Sequence, residues 1–137
     1  MRSTTIFLLF ISFCSISFSQ LSFDNDNTFY TDSSQTVLCN GKFRKFYSGY
    51  KIRSSSTYLN GKLSGETVEY FIDGQVKMKI NYLNGQFEGE SLEYYPETSI
   101  LKSKFFFSNG LKNGECFTYD EKGEVFQKWN FLNGVIQ

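Results

Sequence analysis

Hydrophobic and polar residues alternate along most of the chain after residue 40, and glycine-containing turn signals interrupt the alternation at intervals. Residues 66–71 and 75–83 alternate on either side of Ile72-Asp73-Gly74. Strict alternation predicts a β-strand with two unlike faces, and Asp-Gly between two such segments predicts a β-hairpin. We therefore expect antiparallel strand pairs rather than helices.

Each turn also predicts a register for its hairpin. The hairpin of residues 66–83 gives Phe71 with Gln75, Tyr70 with Val76, Glu69 with Lys77, and Val68 with Met78. The following two give Tyr95 with Ile100, Tyr94 with Leu101 and Glu93 with Lys102, then Asp120 with Glu124, Tyr119 with Val125 and Phe117 with Gln127. In this register one face is apolar, and the other carries cross-strand pairs of opposite charge.

The hairpin unit repeats along the chain. Asn-Gly recurs at spacings of 24, 25 and 24 residues, with the glycines at Gly61, Gly85, Gly110 and Gly134. An aromatic residue stands three positions before each of them: Tyr58, Tyr82, Phe107 and Phe131. A second glycine follows the first three by four residues, at Gly65, Gly89 and Gly114. The sequence therefore predicts an all-β fold: one antiparallel sheet of consecutive hairpin repeats with a period of about 24 residues.

Three segments are expected. Residues 1–19 have a short basic start, an uncharged stretch from Thr5 to Phe18 and a small residue at Ser19, as in a secretory signal peptide cleaved after Ser19. This predicts a secreted or periplasmic protein. Residues 20–40 form a lead-in segment, and residues 41–137 form the repeat domain, whose first hairpin is degenerate because Arg44 and Lys45 interrupt its pattern.

The repeat resembles a known family. Tyr82-Leu83-Asn84-Gly85-Gln86-Phe87-Glu88-Gly89-Glu90, followed by Tyr94-Tyr95, is similar to the MORN-repeat variant found in YwqK-type antitoxin-like proteins. The resemblance covers roughly residues 41–137 and implies a β-hairpin repeat fold. It also implies binding and neutralisation of a toxin, and it supplies no catalytic residues.

The amino-acid composition limits the kinds of binding and catalysis that we expect of the chain. The 137 residues include 14 basic and 14 acidic side chains and no histidine, which disfavours a strongly basic nucleic-acid binder and removes the commonest general base and metal ligand. Asp24-Asn25-Asp26 begins like a calcium loop, but Phe29 and Gln35 stand where such a loop needs glycine and glutamate. We expect no enzymatic activity, no cofactor and no metal.

The aromatic residues suggest a binding surface. They make up 19% of the chain, and a single sheet offers no second layer to bury them. The lead-in segment, strong curvature, another copy of the chain or a partner protein could cover them. The expected function is protein binding or self-association, through this face or through an open edge strand. The candidate binding face consists of Tyr82, Phe105, Phe107, Trp129 and Phe131.

The alternative is a structural or membrane-associated envelope protein. Lysines recur along the second strands and could form a stripe that binds anionic lipid, although acidic neighbours would neutralise part of it. The candidate lipid stripe consists of Lys77, Lys79, Lys102, Lys104 and Lys128.

The first prediction concerns the cysteines that follow residue 19. Cys39 and Cys116 are expected six or seven strands apart, which is roughly 30 Å at ~4.8 Å per strand. Because a disulfide needs Cα atoms within about 7 Å, the two should not bond within one chain. Cys116 is expected opposite Lys128 on the polar face. Peptide mapping of an oxidatively refolded monomer should find no bridge between them, whereas such a bridge would mean that the row curls back on itself.

Overall fold

The computed structural model describes residues 22–23, 29–30 and 38–137. The predicted signal peptide lies outside the described residues, as does most of the lead-in segment. The described chain forms 13 β-strands and no helix, so none of its described segments is a helix able to cross a membrane. Two short strands, β1 (Ser22–Phe23) and β2 (Phe29–Tyr30), pair with each other in a small antiparallel sheet.

All the other strands belong to one antiparallel sheet. They are β3 (Gly41–Phe46), β4 (Ile52–Leu59), β5 (Lys62–Leu63), β6 (Gly65–Tyr70), β7 (Val76–Leu83), β8 (Gln86–Tyr94), β9 (Leu101–Ser108), β10 (Leu111–Lys112), β11 (Gly114–Tyr119), β12 (Val125–Leu132) and β13 (Val135–Ile136). The long strands follow chain order across the sheet, with β3 at one end and β12–β13 at the other. The predicted all-β sheet of consecutive hairpins is confirmed.

The Asn-Gly pairs form tight two-residue turns. Asn84 and Gly85 have φ values of 52° and 84°, and the other three pairs are similar. Positive φ at both positions defines the type I′ turn, whose twist matches the twist of the strands it joins. Each turn also bonds to the preceding repeat, since the Gly85 N–H donates to the Leu63 carbonyl at 2.8 Å and Gly110 donates to Phe87 at 2.9 Å.

A second glycine of the repeat follows the glycine of the Asn-Gly turn by four residues and lies in the first strand of the next hairpin. Gly65 pairs with Tyr82 and Gly89 pairs with Phe107, so each second-strand aromatic residue lies over a glycine of the first strand. Gly65 has a φ of 85°, yet a Cβ at this position would meet nothing within 4 Å. The backbone conformation, rather than a lack of space, therefore requires the glycine.

The expected register is right beside each turn and wrong further along the strands. Tyr70 pairs with Val76 as expected, but Glu69 then pairs with Met78, and Val68 pairs with Lys79. A β-bulge causes the shift, because the extra residue Lys77 has no partner on β6. The bulge recurs in every hairpin, where the extra residues are Arg53, Lys77, Lys102 and Phe126.

Because of the bulge, three other predicted pairings are wrong in addition to those of Val68 and Glu69. Glu93 pairs with Ser103 instead of Lys102, and Phe117 pairs with Lys128 instead of Gln127. Cys116 pairs with Trp129 and is fully buried, so it does not lie opposite Lys128 on a polar face. Six steps in the strand order separate Cys116 on β11 from β3, which Cys39 immediately precedes.

The sheet buries few side chains. Among residues 38–137 the buried apolar side chains are Cys39, Phe43, Tyr58 and Cys116. The first three form a small cluster at the β3 end, and Leu63 packs against it. Most other aromatic residues are half-buried, as a single layer of strands requires.

Tyrosine hydroxyls link the first hairpin to the second and the third hairpin to the fourth. The Tyr47 hydroxyl donates to the Tyr70 carbonyl, and the Tyr95 hydroxyl donates to the Tyr119 carbonyl, both at 2.8 Å. Phe71 stands at the equivalent position between them and has no hydroxyl. We expect Phe71→Tyr to stabilise the chain by about 1 kcal/mol through a new bond to the Tyr94 carbonyl, and Tyr95→Phe to destabilise it by a similar amount.

Urea unfolding of the two variants and the parent chain measures both effects. A Phe71→Tyr variant that is no more stable than the parent would show that the hydroxyl does not link the repeats at this position.

Candidate functional site

The five residues of the candidate binding face lie on one face of the sheet. Cross-strand partners share a face, and the strand pairing therefore places Tyr82, Phe105, Phe107, Trp129 and Phe131 together. We call this side the aromatic face. The bulges put the Tyr70–Val76 pair and its equivalents on the reverse face, so the apolar residues are shared between both sides of the sheet.

The aromatic face is a continuous row of rings beside the Asn-Gly turns. The Tyr82 and Phe87 ring centroids are 5.1 Å apart, and Phe87 lies 5.1 Å from Phe107. The Lys112 Nζ continues the row, 4.1 Å from the Phe105 centroid and 5.2 Å from the Phe131 centroid. Ring-to-ring and cation–π contacts at these distances are attractive, so they order the row without a covering layer.

Sequence reasoning missed two members of this row, Phe87 and Lys112. Both stand two residues after the glycine of an Asn-Gly turn, where the first repeat has Leu63. A type I′ turn leaves its flanking residues in register, so Lys112 pairs with Phe107 and therefore lies on the aromatic face. The repeat spacing was the available signal, because Leu63, Phe87 and Lys112 recur at intervals of 24 and 25 residues.

The side chains of the aromatic face are partly exposed. Phe105, Phe107, Trp129 and Phe131 all keep an intermediate exposure, and Phe87 is 36% exposed. Cys116 lies fully buried opposite Trp129. This face therefore combines a few fixed contacts with partly accessible aromatic surface.

The five lysines of the candidate lipid stripe do not share one face. Lys79 and Lys104 pair with Leu92, and Lys128 pairs with Phe117, all on the reverse face. Lys77 and Lys102 are bulge residues whose ammonium groups reach Glu69 at 3.6 Å and Glu93 at 2.8 Å. Both glutamates belong to the aromatic face. The predicted continuous stripe is therefore split by the bulges.

Carboxylates also neutralise most of these lysines. Lys104 forms an ion pair with Glu90, and Lys128 forms one with Glu115. The hydrogen bond and the charge of Glu93 raise the pKa of the Lys102 ammonium. Such surface pairs contribute little stability, about 0–1 kcal/mol each, but they reduce the positive field available to a lipid surface.

The described residues contain no group of three or more His, Cys, Asp or Glu side chains that could hold a metal ion. Neither the protein-family models nor the curated proteins compared with the chain give a match.

Tyr58 and Tyr82, which each stand two residues before an Asn-Gly turn, have raised pKa values. Burial is the main cause of the raised pKa of Tyr58, which Cys39 and Tyr82 raise further. Burial, followed by the charge of Glu69, raises the pKa of Tyr82. A tyrosine whose pKa is higher in the folded state loses its proton first in the unfolded state, so the folded state becomes less stable as pH rises above 10.

We expect the free energy of unfolding to fall as pH rises through about 10, and to fall less steeply in Tyr58→Phe, which cannot ionise at this position. Urea unfolding across this pH range measures the slope. The matched control is Tyr50→Phe, which removes a hydroxyl from a side chain that is 93% exposed. Equal slopes in Tyr58→Phe and the parent chain would contradict the burial of the Tyr58 hydroxyl.

Proposed function

We propose that the chain is a non-catalytic repeat module that binds another protein through its aromatic face. The observation that carries this proposal is the sheet itself: its described strands form a single layer in which Phe105, Phe107, Trp129 and Phe131 stay partly exposed. Large aromatic side chains dominate the energy of protein interfaces, and a sheet face without a second layer presents them in a fixed arrangement.

The proposal agrees with the resemblance to MORN-like repeats, which implies binding and neutralisation of a toxin. Toxin neutralisation is one form of such binding, and the predicted signal peptide would direct it to the envelope or the exterior of the cell. The lipid-binding alternative draws less support from the geometry, because the bulges divide the lysine stripe and Glu69, Glu90, Glu93 and Glu115 pair with four of its members.

Neighbouring phenylalanines provide a matched test. Phe106 and Phe107 are adjacent, both half-buried, and lie on opposite faces, since Phe107 pairs with Gly89 and Phe106 pairs with Glu90. A photo-crosslinking phenylalanine analogue can replace either residue in cells that produce the chain natively. We expect one discrete protein adduct from position 107 and little or none from position 106.

Mass spectrometry of the adduct would identify the partner, and Trp129→Ala should reduce crosslinking from position 107 because it removes a large interface anchor. Adducts formed equally from both positions, or from position 106 alone, would contradict binding through the aromatic face. Co-sedimentation with anionic vesicles that depends on Lys79, Lys104 and Lys128 would instead support the lipid alternative.

A further inference from the structure

Lys112 places a charge at a position of the repeat that is otherwise apolar. Each Asn-Gly turn is flanked by a cross-strand pair on the aromatic face, and the first member of each pair is the aromatic residue two positions before the turn. The second members of the four pairs are Leu63, Phe87, Lys112 and Ile136. The aromatic face therefore carries a positive group between Phe107 and Phe131, where the other repeats have an apolar side chain.

Two aromatic rings hold the ammonium group of Lys112 on this face. Its Nζ lies 4.1 Å from the Phe105 ring centroid and 5.2 Å from the Phe131 ring centroid. The faces of aromatic rings carry partial negative charge, so both contacts attract the ammonium group, but they do not neutralise it. The lysine side chain is half-buried. The positive charge is therefore fixed in position while the side chain keeps contact with solvent.

Two other lysines lie over a ring in the described chain, and both also reach a carboxylate. The Lys104 Nζ lies 5.0 Å from a ring centroid and pairs with Glu90. The Lys128 Nζ lies 5.4 Å from another ring centroid and pairs with Glu115. No carboxylate of the described residues forms an ion pair with Lys112. Lys112 thus has the rings of this arrangement without its acidic partner.

The charges around Lys112 favour a single carboxylate over a lipid surface as its ligand. Recognition of anionic lipid requires a cluster of basic residues. The other lysines of strands β8 to β13 are Lys102, Lys104 and Lys128, and each already forms an ion pair with a glutamate. Lys112 is therefore an isolated charge among aromatic side chains, and one acidic group is enough to neutralise it.

We propose that the aromatic face recognises a segment of a partner protein in which an Asp or Glu side chain stands among apolar residues and places its carboxylate on the Lys112 ammonium group. This inference rests on the proposed function, protein binding through the aromatic face. A partner that covers Phe105 and Phe131 also removes water from the ammonium group between them, and an unpaired charge is costly to bury. A carboxylate offsets that cost through a charge-assisted hydrogen bond, so Lys112 selects among apolar segments.

A random peptide library displayed on phage provides the probe. Peptides are selected separately on the full chain and on Lys112→Met, which keeps a long, unbranched side chain without the charge. We expect peptides selected on the parent chain to combine an acidic residue with apolar neighbours. Selection on Lys112→Met should retain the apolar preference and lose the acidic one. The matched control is Lys122→Met, which removes the same charge from the turn between β11 and β12 and should select the same peptides as the parent chain.

Replacing the acidic residue of a selected peptide by its amide measures the contact itself. Fluorescence anisotropy should show the amide peptide binding the parent chain at least about tenfold more weakly, because a hydrogen bond between charged groups is lost. The same replacement should have little effect on binding to Lys112→Met, since the partner charge is already absent. Lys112→Arg keeps the charge and should retain the preference for the acidic peptide.

Three results would overturn the inference. Selection on the parent chain could yield no peptides with an acidic residue, or the acidic preference could be the same on Lys112→Met. Lys112→Met could also self-associate while its peptide selection stays unchanged, which would show that the lysine only prevents pairing with another copy of the chain. Crosslinking from position 107 tests binding through the aromatic face separately. A discrete adduct there, together with any of these results, would reject the role of Lys112 and leave the proposed function intact.

Discussion

One extra residue in each second strand decides how the sheet presents its side chains. A strand without a bulge would keep Val76, Met78, Ile80 and Tyr82 on one side, because side chains alternate with a period of two. Lys77 is the extra residue of the bulge, because Tyr70 pairs with Val76 and Glu69 pairs with Met78. The β7 residues from Met78 onward therefore lie on the opposite side of the sheet from Val76. Each hairpin therefore has one apolar pair on the reverse face, beside the turn that joins its two strands, and an aromatic residue on the aromatic face, beside its Asn-Gly turn.

This division suits a single-layer sheet better than one wholly apolar face would. Apolar side chains are divided between the two sides, and each side keeps ion pairs that maintain contact with water. Cohesion comes instead from contacts between successive repeats: the turn glycine bonding to the preceding hairpin, the tyrosine hydroxyls and the row from Tyr82 to Phe107. Such a sheet depends on nearest neighbours, as repeat proteins generally do.

The parts of this architecture that local chemistry controls could be predicted from the sequence. Asn-Gly and Asp-Gly specify turns, a period of 24 specifies hairpins in series, and the first pair beside each turn, such as Tyr70 with Val76, follows from the turn alone. The bulge could not be predicted in the same way. Alternation shows only which positions share a face, and Val68 opposite Met78 would also have been an apolar pair. Glu69 and Lys77 still meet across the bulge because a lysine side chain is long enough to span one position.

Some members of the candidate sites could be predicted from the repeat spacing and others could not. Tyr82, Phe105, Phe107, Trp129 and Phe131 could be grouped because they recur at fixed offsets from the turns, and recurrence does not depend on the bulge. Phe87 and Lys112 also occupy equivalent positions of the repeat, together with Leu63. Because the three side chains are aliphatic, aromatic and cationic, the shared position is not evident from residue type. The departure of Arg44 and Lys45 from the repeat is visible in the sequence as an irregularity, but the strand order that puts β3 at one end of the described main sheet is not.

The first hairpin is held together differently from the inner hairpins. In the inner hairpins, glutamates of the first strand form ion pairs with lysines of the second strand, as Glu90 does with Lys104. At the equivalent positions β3 carries Lys42 and Lys45, and their partners on β4 are Thr57 and Ser54. The first hairpin instead contains the small apolar cluster of Cys39, Phe43 and Tyr58, so its cohesion depends more on burial than on charge.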